Sequence, residues 1–122
     1  MTAPKFLLLY VDNPTRSGEF YSRLLARPPV EASPTFHLFA LDSGWMLGLW
    51  SKHTVEPGAT AVGGSELAFS VADNNTVRNW HADWMKRGLP IVQAPTEMDF
   101  GFTFVATDPD GHRLRVFAPS VR

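Results

Sequence analysis

The segment TDPDGHRLRVFAP, residues 107–119, decides how the rest of the chain is interpreted. Asp-Pro-Asp-Gly is typical of a tight turn, and the alternating residues after it are typical of a strand. Arg115 lies in the middle of this strand, four residues after Gly111. A charge inside an apolar strand must find a partner. The identity of the partner of Arg115 decides whether the protein is interpreted as an enzyme or as a binding protein.

The composition is that of one soluble domain. The chain has 122 residues, of which 44% are hydrophobic and 19% charged, so it can build one core. Its net charge of -1 offers no basic surface to nucleic acid or to an anionic membrane. The lack of cysteine excludes disulfides and zinc sites of the cysteine type. The apolar run near the N-terminus is too short for a signal or membrane segment, so we expect a cytoplasmic protein.

The first half begins with a strand and a helix. FLLLYV, residues 6–11, has strand length, and Asn13 followed by Pro14 is typical of a helix start. Residues 28–29 are prolines and are predicted to end this helix. TFHLFALDSG and WMLGLWSK then predict two strands joined by a hairpin.

The second half repeats this order. ELAFSVAD, residues 66–73, predicts a strand, and Asp73 or Asn74 caps a helix that Gly88 closes. Trp80 and Trp84 lie on the apolar stripe of this helix and are predicted to be core residues. LPIVQAP, FGFTFVATDPDG and HRLRVFAP predict three further strands.

The two halves match residue by residue. Val11 and Val71 end equivalent strands sixty residues apart, and the turn residues Gly44 and Gly111 lie sixty-seven apart. We therefore predict an α+β fold in which two β-α-β-β-β repeats form paired, curved, mixed sheets around a cavity. The predicted organisation is a single domain, 1–122, with repeats at about 4–52 and 64–119 and a linker at 53–63.

Alternation along each strand predicts two different sheet faces. Leu67, Phe69 and Val71 form the more apolar set of their strand and suit the side that the helix covers. The opposite face of each sheet is then open toward the cavity. Alternation and the internal offset place the following residues on this open face: Phe6, Tyr10, Met46, Gly48, Trp50, Glu66, Arg115 and Phe117.

The duplicated plan, the helix containing EFYSRLL and the DPDG turn resemble the glyoxalase/bleomycin-resistance/dioxygenase superfamily, also called vicinal oxygen chelate. The resemblance covers nearly the whole chain. It implies a homodimer, and it leaves open whether the repeats are exchanged between two chains. The superfamily contains metal enzymes and metal-free drug-binding proteins, so the resemblance alone does not decide the function.

Enzymes of this superfamily hold a metal ion with His or Glu side chains on the first and last strand of each unit. The resemblance maps these positions to Phe6, Gly48, Glu66 and Arg115. Glu66 alone offers a ligand atom, and the Arg115 guanidinium repels a cation, so we expect neither a metal nor another cofactor. We predict instead a Glu66–Arg115 ion pair across the centre of the second sheet. The alternative is an Arg115 that reaches solvent at a sheet edge.

Aromatic and small residues dominate the predicted open face, and a slot between rings suits a planar conjugated ligand. Trp50, at a strand end, is the first candidate for a stacking platform; the alternative is that it packs only at a dimer contact. LGLWSK and FTFVATDPDGHRLRV resemble the phenazine-antibiotic resistance members of the superfamily. One set of residues from 100–106 should also face the cavity, and alternation does not say which. The predicted ligand-binding residues are Trp50, Phe6, Tyr10, Met46, Gly48, Glu66, Arg115, Phe117, Phe102 and Phe104.

These residues predict metal-free sequestration of a small planar antibiotic. No histidine lies at a position that corresponds to a metal ligand, and His112 is interpreted as a turn residue. A metal-dependent lyase or dioxygenase that uses a displaced site, for instance Glu66 with His37, is the second hypothesis. A structural or regulatory subunit with a collapsed cavity is the third.

Overall fold

The computed structural model of the protein describes residues 4–61 and 65–120. The chain divides into two compact units, each with one helix and one four-stranded mixed sheet. The first unit contains β1 (Phe6–Val11), α1 (Pro14–Leu25), β2 (Glu31–Ala32), β3 (Phe36–Ala40) and β4 (Met46–Ser51). The second contains β5 (Glu66–Ser70), α2 (Asn74–Lys86), β6 (Ile91–Met98), β7 (Gly101–Thr107) and β8 (Arg113–Pro119). The predicted α+β class is confirmed.

Both helices begin at the caps that the sequence indicates. The Asn13 side chain accepts a hydrogen bond from the backbone N–H of Arg16 at 3.2 Å, and Pro14 occupies the first turn of α1. Asp73, rather than Asn74, caps α2, because its carboxylate accepts from the backbone N–H of Thr76 at 2.8 Å. These bonds satisfy backbone donors that the first turn of a helix leaves without partners.

The helix ends differ slightly from the expectation. α1 ends at Leu25, before the prolines at residues 28–29, because Ala26 adopts the left-handed conformation with φ 54°. α2 ends at Lys86, and Gly88 follows with φ 83°. The prolines therefore follow a helix that its own C-terminal cap has already ended.

The two sheets have the same topology. Their strand orders are β1-β4-β3-β2 and β5-β8-β7-β6. In each sheet the edge strand that precedes the helix pairs in parallel with the last strand of the unit, and the other pairs are antiparallel. The registers also correspond, because Leu8 pairs with Gly48 and Ala68 pairs with Arg115. The predicted repetition of a β-α-β-β-β unit is thus present in the strand pairing.

Two strands extend beyond the sequence expectation. β2 has only two residues and pairs with β3, and no pattern in the sequence indicated it. β6 continues through Pro95 to Met98, and its register to β7 shifts twice between Ile91 and Thr96. β6 is the edge strand of its sheet, where a proline and an irregular ladder are tolerated.

Each helix covers one face of its own sheet and forms the core there. In the first unit α1 packs on β3 and β4, and the fully buried side chains include Val11, Phe39 and Leu49. His37 belongs to the same face: a Cβ atom on Gly18 of α1 would lie 2.4 Å from the His37 ring. Burial of these side chains supplies the main stabilisation of the unit.

In the second unit α2 packs on β6, β7 and β8. Trp84 is buried, Trp80 is partly buried, and both rings lie 5.8 Å from that of Phe69, so both tryptophans belong to the core as predicted. Leu67 and Phe69 therefore face the helix, and the alternate residues of β5 lie on the open face.

Candidate functional site

The open face of the second unit carries charged and polar residues, and we call it the arginine face. Strand register and alternation place the following residues there: Glu66, Ala68, Ser70, Gln93, Thr96, Thr103, Val105, Thr107, Arg113, Arg115 and Phe117. Its exposed side is not covered by α2, which packs on the opposite face. The sequence analysis predicted that Glu66, Arg115 and Phe117 lie on this open face, and the structure places them there.

Arg115 is the centre of this face. Its Nε donates to Oε1 of Glu66 at 2.9 Å, so the predicted ion pair is present. Its Nη1 donates to the side-chain oxygens of Gln93 at 3.4 Å and of Thr103 at 3.2 Å. The Arg115 side chain is only 17% exposed and that of Glu66 37%. The pair joins the edge strand β5 to its neighbour β8, and it does not lie at the centre of the sheet.

Thr103 supports Arg115 from the neighbouring strand. Its hydroxyl donates to the backbone carbonyl of Val116 at 2.8 Å, and the residue is fully buried. A hydroxyl has one hydrogen, so the same oxygen acts as the acceptor for Arg115. Gln93 and Thr103 were not predicted as site residues. The DPDG turn gave a signal for Thr103. β7 and β8 form a hairpin around this turn, and counting outward from the turn on both strands pairs Thr103 with Phe117.

Two phenylalanines lie beside the guanidinium. The Phe100 ring centroid is 5.5 Å from Cζ of Arg115, within the range of a cation–π interaction. Phe117, on β8, contacts Phe100 edge to face with centroids 5.9 Å apart. Phe100 is 38% exposed, so part of this aromatic surface is accessible.

The assignment of Phe102 and Phe104 to the open face is wrong. Phe104 pairs with Val116 and lies under α2, with its ring 5.3 Å from that of Trp84. Phe102 lies on the same side, and Arg78 of α2 covers its ring at 4.7 Å. Alternation within β7 places both rings on the helix side.

The open face of the first unit is almost wholly apolar, and we call it the aromatic face. Register places ten residues on it, of which Glu31 is the charged one: Phe6, Leu8, Tyr10, Glu31, Phe36, Leu38, Ala40, Met46, Gly48 and Trp50. Phe6 is 59% exposed and Tyr10 44% exposed, as expected for the uncovered side. The predicted alternation of β1 and β4 therefore describes this face correctly.

Gly48 leaves room that its neighbours fill. A Cβ atom there would meet Leu8 Cδ2 at 2.4 Å and the Phe36 ring at 3.2 Å. Gly48 itself is buried. Trp50 is partly exposed and contacts the Phe36 ring edge to face at 5.9 Å. Trp50, the residue predicted to stack on a ligand, thus lies at the end of the aromatic face and packs against Phe36.

The four histidines have separate surroundings. His37 faces α1 and is buried, and its Nδ1 has no hydrogen-bond partner within residues 4–61 and 65–120. His81 packs against Phe104. His53 lies 2.7 Å from the Asp12 carboxylate, and this hydrogen bond lowers the pKa of Asp12. His37 therefore lies on the helix-covered face of its sheet and not on the open face.

His112 and Asp108 organise the DPDG turn. The Asp108 carboxylate accepts from the backbone N–H groups of Asp110 and His112 and contacts His112 Nδ1 at 2.8 Å. The hydrogen bond to Asp108 raises the pKa of His112 above its ordinary value, although burial opposes this. The interpretation of His112 as a turn residue is confirmed.

The residues at the four superfamily metal positions do not fit a metal ion. Phe6 and Gly48 offer no donor atom, and Arg115 is cationic. The remaining donor, Glu66, has one oxygen engaged by Arg115. In the part of the chain that the structure describes, no three His, Asp or Glu side chains come together as a metal site. In the same part, neither helix has the length and apolar character needed to cross a bilayer.

Two helix-covered sheets with matching strand order and open faces define a protein of the paired β-α-β-β-β class. Residues 4–116 match the model of the Glyoxalase/Bleomycin resistance protein/Dioxygenase superfamily, and the chain belongs to that superfamily. The resemblance that the sequence motifs indicated is therefore confirmed.

Three known proteins illustrate the range of relatives. The chain is 30% identical over 116 residues to the phenazine antibiotic resistance protein EhpR of Enterobacter agglomerans, covering 93% of this chain and 89% of that protein. A protein of Agrobacterium tumefaciens, solved by NMR in solution, is 53% identical with a TM-score of 0.90, covering 99% and 100% of the two chains. Lactoylglutathione lyase from the same organism shares the fold, with 19% identity, a TM-score of 0.78 and coverage of 97% and 94%.

Proposed function

We propose that this protein binds a small planar aromatic compound of the phenazine kind without a metal ion and confers resistance by sequestering it. The observation that carries the proposal is the hydrogen bond between Arg115 and Glu66. It places a cation and its partner at two positions where the superfamily enzymes hold metal ligands. A protein with this arrangement has the superfamily fold without the donor set for metal chemistry.

The accessible rings support an aromatic ligand. The aromatic face exposes Phe6 and Tyr10 and ends at Trp50, and an exposed Phe100 lies beside Arg115 of the arginine face. Stacking on such rings contributes roughly 0.5 to 1.5 kcal/mol per ring pair beyond the burial of apolar area. A planar conjugated compound gains most from these surfaces, because it can lie flat against a ring.

The phenazine resistance protein of Enterobacter agglomerans supports the class of ligand. Its name connects a relative of nearly the same length with resistance to a planar tricyclic antibiotic. Sequestration needs no reaction. Resistance by this route is stoichiometric, and it follows from the lowered concentration of free compound.

Isothermal titration calorimetry of chelator-treated protein with phenazine-1-carboxylate tests this proposal. We expect a micromolar or lower dissociation constant and about tenfold weaker binding by Trp50→Ala, because the variant loses a stacking surface. Trp45→Ala is the matched control, since Trp45 is an exposed tryptophan in the turn before β4. Circular dichroism checks that both variants are folded.

Two results of the titration would contradict the proposal, and a third would correct its site. Heat that appears only after a divalent metal is added would favour the metal-dependent lyase or dioxygenase. The absence of heat with and without metal would favour a structural or regulatory subunit. Equal weakening by Trp45→Ala and Trp50→Ala would remove Trp50 from the site.

We also propose that the chain acts as a single domain and forms a homodimer, as the superfamily resemblance implies. β1 is an edge strand of its sheet, so its outer backbone edge is available for pairing with a second chain. Light scattering after size-exclusion chromatography should give twice the mass of 13.6 kDa. A single-chain mass at tens of micromolar would overturn the dimer.

A further inference from the structure

Arg115 has hydrogen-bonding capacity that none of the residues described by the structure uses. Nε donates to Glu66, and the two N–H groups of Nη1 have acceptors in Gln93 and Thr103. Within residues 4–61 and 65–120, Nη2 has no hydrogen-bond partner, and this atom is not buried. A guanidinium has five N–H donors, so the two on Nη2 are available to a ligand.

The bonds to Arg115 also fix its orientation. Acceptors on three different strands, β5, β6 and β7, engage Nε and Nη1 and leave the guanidinium plane little freedom. Thr103 is the most constrained of the three, because it is fully buried and its own proton is donated to Val116. A donor held in this way loses little entropy when it binds, which is the advantage of preorganisation.

The charge of the arginine face favours an anion. Within residues 65–120, register places one carboxylate, Glu66, and two guanidinium groups, Arg113 and Arg115, on this face. Arg113 is exposed and pairs directly with Glu66 across the strands. The face therefore has a net charge of +1, which attracts anionic ligands and does not favour cationic ones.

An aromatic surface adjoins the free donors. The Phe100 ring lies 5.5 Å from Arg115 Cζ, and Phe117 contacts Phe100. A ligand whose carboxylate accepts from Nη2 would place an attached ring next to these two side chains. Charge-assisted hydrogen bonds of this type are roughly twice as strong as neutral ones.

We propose that the arginine face selects planar aromatic compounds that carry a carboxylate, that Arg115 Nη2 donates to this carboxylate, and that Thr103 is the positioning residue for the guanidinium. This inference rests on the proposed function and specifies its ligand. The amide of the same ring system binds more weakly, because it keeps a hydrogen bond to the guanidinium but lacks the negative charge that the carboxylate brings to it.

The test compares phenazine-1-carboxylate with phenazine-1-carboxamide by calorimetry in the full chain. We expect the wild-type protein to bind the carboxylate about tenfold more tightly than the amide. Arg115→Gln should abolish this ratio. Thr103→Val removes the hydroxyl at nearly constant volume and should reduce the ratio to about threefold or less, whereas Thr103→Ser keeps the hydroxyl and should retain it.

The ratio separates positioning from a loss of stability. A merely structural role of Thr103 would lower the melting temperature and weaken both ligands equally. Equal binding of the two ligands by the wild-type protein, or a ratio unchanged in Thr103→Val, would overturn the inference while the proposed function stands. If neither ligand binds the wild-type protein, the proposed function fails, and this inference fails with it.

Discussion

Leu8 beside Gly48 in the first unit corresponds to Ala68 beside Arg115 in the second, because both pairs occupy the same register of equivalent strands. The large and small residues are exchanged between the strands. In the first unit Leu8 extends over Gly48 and the face stays apolar. In the second, Ala68 adds only a methyl group, and Arg115 extends to Glu66.

This comparison shows how one backbone plan gives two chemically different surfaces. Phe6 and Glu66 also occupy equivalent positions, and the exchange replaces an exposed ring with the carboxylate that engages Arg115. The polar side chains of the arginine face are linked to one another, whereas the aromatic face is built from apolar contacts. Substitutions that act on one face and spare its counterpart test this difference.

The largest effect is expected at Gly101, which begins β7 and follows Phe100. Its φ of 148° is strained for other residues, and a Cβ atom would lie 2.0 Å from the carbonyl oxygen of Ala118. Neither backbone segment can yield cheaply, so Gly101→Ala should lower the free energy of unfolding by more than about 3 kcal/mol in urea titrations.

The matched control for this position is Gly111→Ala. Gly111 also has a positive φ, 90°, but an added Cβ would meet no atom within 4 Å. Its cost should be near 1 kcal/mol, from backbone conformation alone. Similar losses for the two variants would show that the close contact with Ala118 contributes nothing.

A second comparison adds a methyl group on each side of the first sheet. Gly18 of α1 lies against the covered face, and Gly48 of β4 lies on the open face. Gly18→Ala should cost about 1 to 2 kcal/mol, because the overpacking against the buried His37 ring exceeds the gain in helix propensity. Gly48→Ala should cost less than about 1 kcal/mol, because Leu8 is partly exposed and its end can move. Thermal unfolding measures both, and a larger loss for Gly48→Ala would contradict the assignment of the faces.

The third expected effect concerns the ion pair. Glu66→Gln keeps the shape of the side chain and removes the charge that Arg115 engages, so we expect a loss of about 1 kcal/mol, moderated by the partial exposure of Glu66. Glu97→Gln, on exposed β6, is the control and should change the free energy of unfolding by less than about 0.5 kcal/mol. Equal effects in urea titrations would mean that the pair adds nothing to stability.

Regular strands account for what the sequence predicted correctly. β1, β4, β5 and β8 keep strict alternation, so the open-face positions of Phe6, Trp50, Glu66 and Arg115 followed from period two. The ion pair followed from the need of Arg115 for a partner. The helix caps followed equally well, because a cap is a local interaction between residues three apart.

Irregular backbone accounts for what the sequence did not predict. Alternation predicts that Phe100, Phe102 and Phe104 lie on the same side of the sheet. Gly101 has a positive φ, which interrupts the alternation after Phe100. Phe100 therefore lies next to Arg115, while the other two rings face α2. Gln93 was missed for a related reason, since the register of β6 shifts on both sides of it. Tertiary contacts of this kind leave no periodic signal in one strand.

The smallest effect compares the two histidine–carboxylate pairs. Asp108 raises the pKa of His112, so the charged form of His112 stabilises the folded second unit. This contribution is complete below the ordinary imidazole pKa of 6.5 and is lost as the pH rises through the raised value in the folded protein. The difference in unfolding free energy between wild type and His112→Asn should therefore be largest below pH 6.5 and narrow as the pH rises above it.

His53→Asn provides the counterpart in the first unit. His53 and Asp12 form a contact of the same length class, 2.7 Å against 2.8 Å, but their side chains are 61% and 63% exposed. Solvent screens exposed pairs, so His53→Asn should change the free energy of unfolding less than His112→Asn does in parallel urea titrations at about pH 6. A gap that widens with pH for His112→Asn would mean that the neutral imidazole, and not the imidazolium, is the form that stabilises the turn.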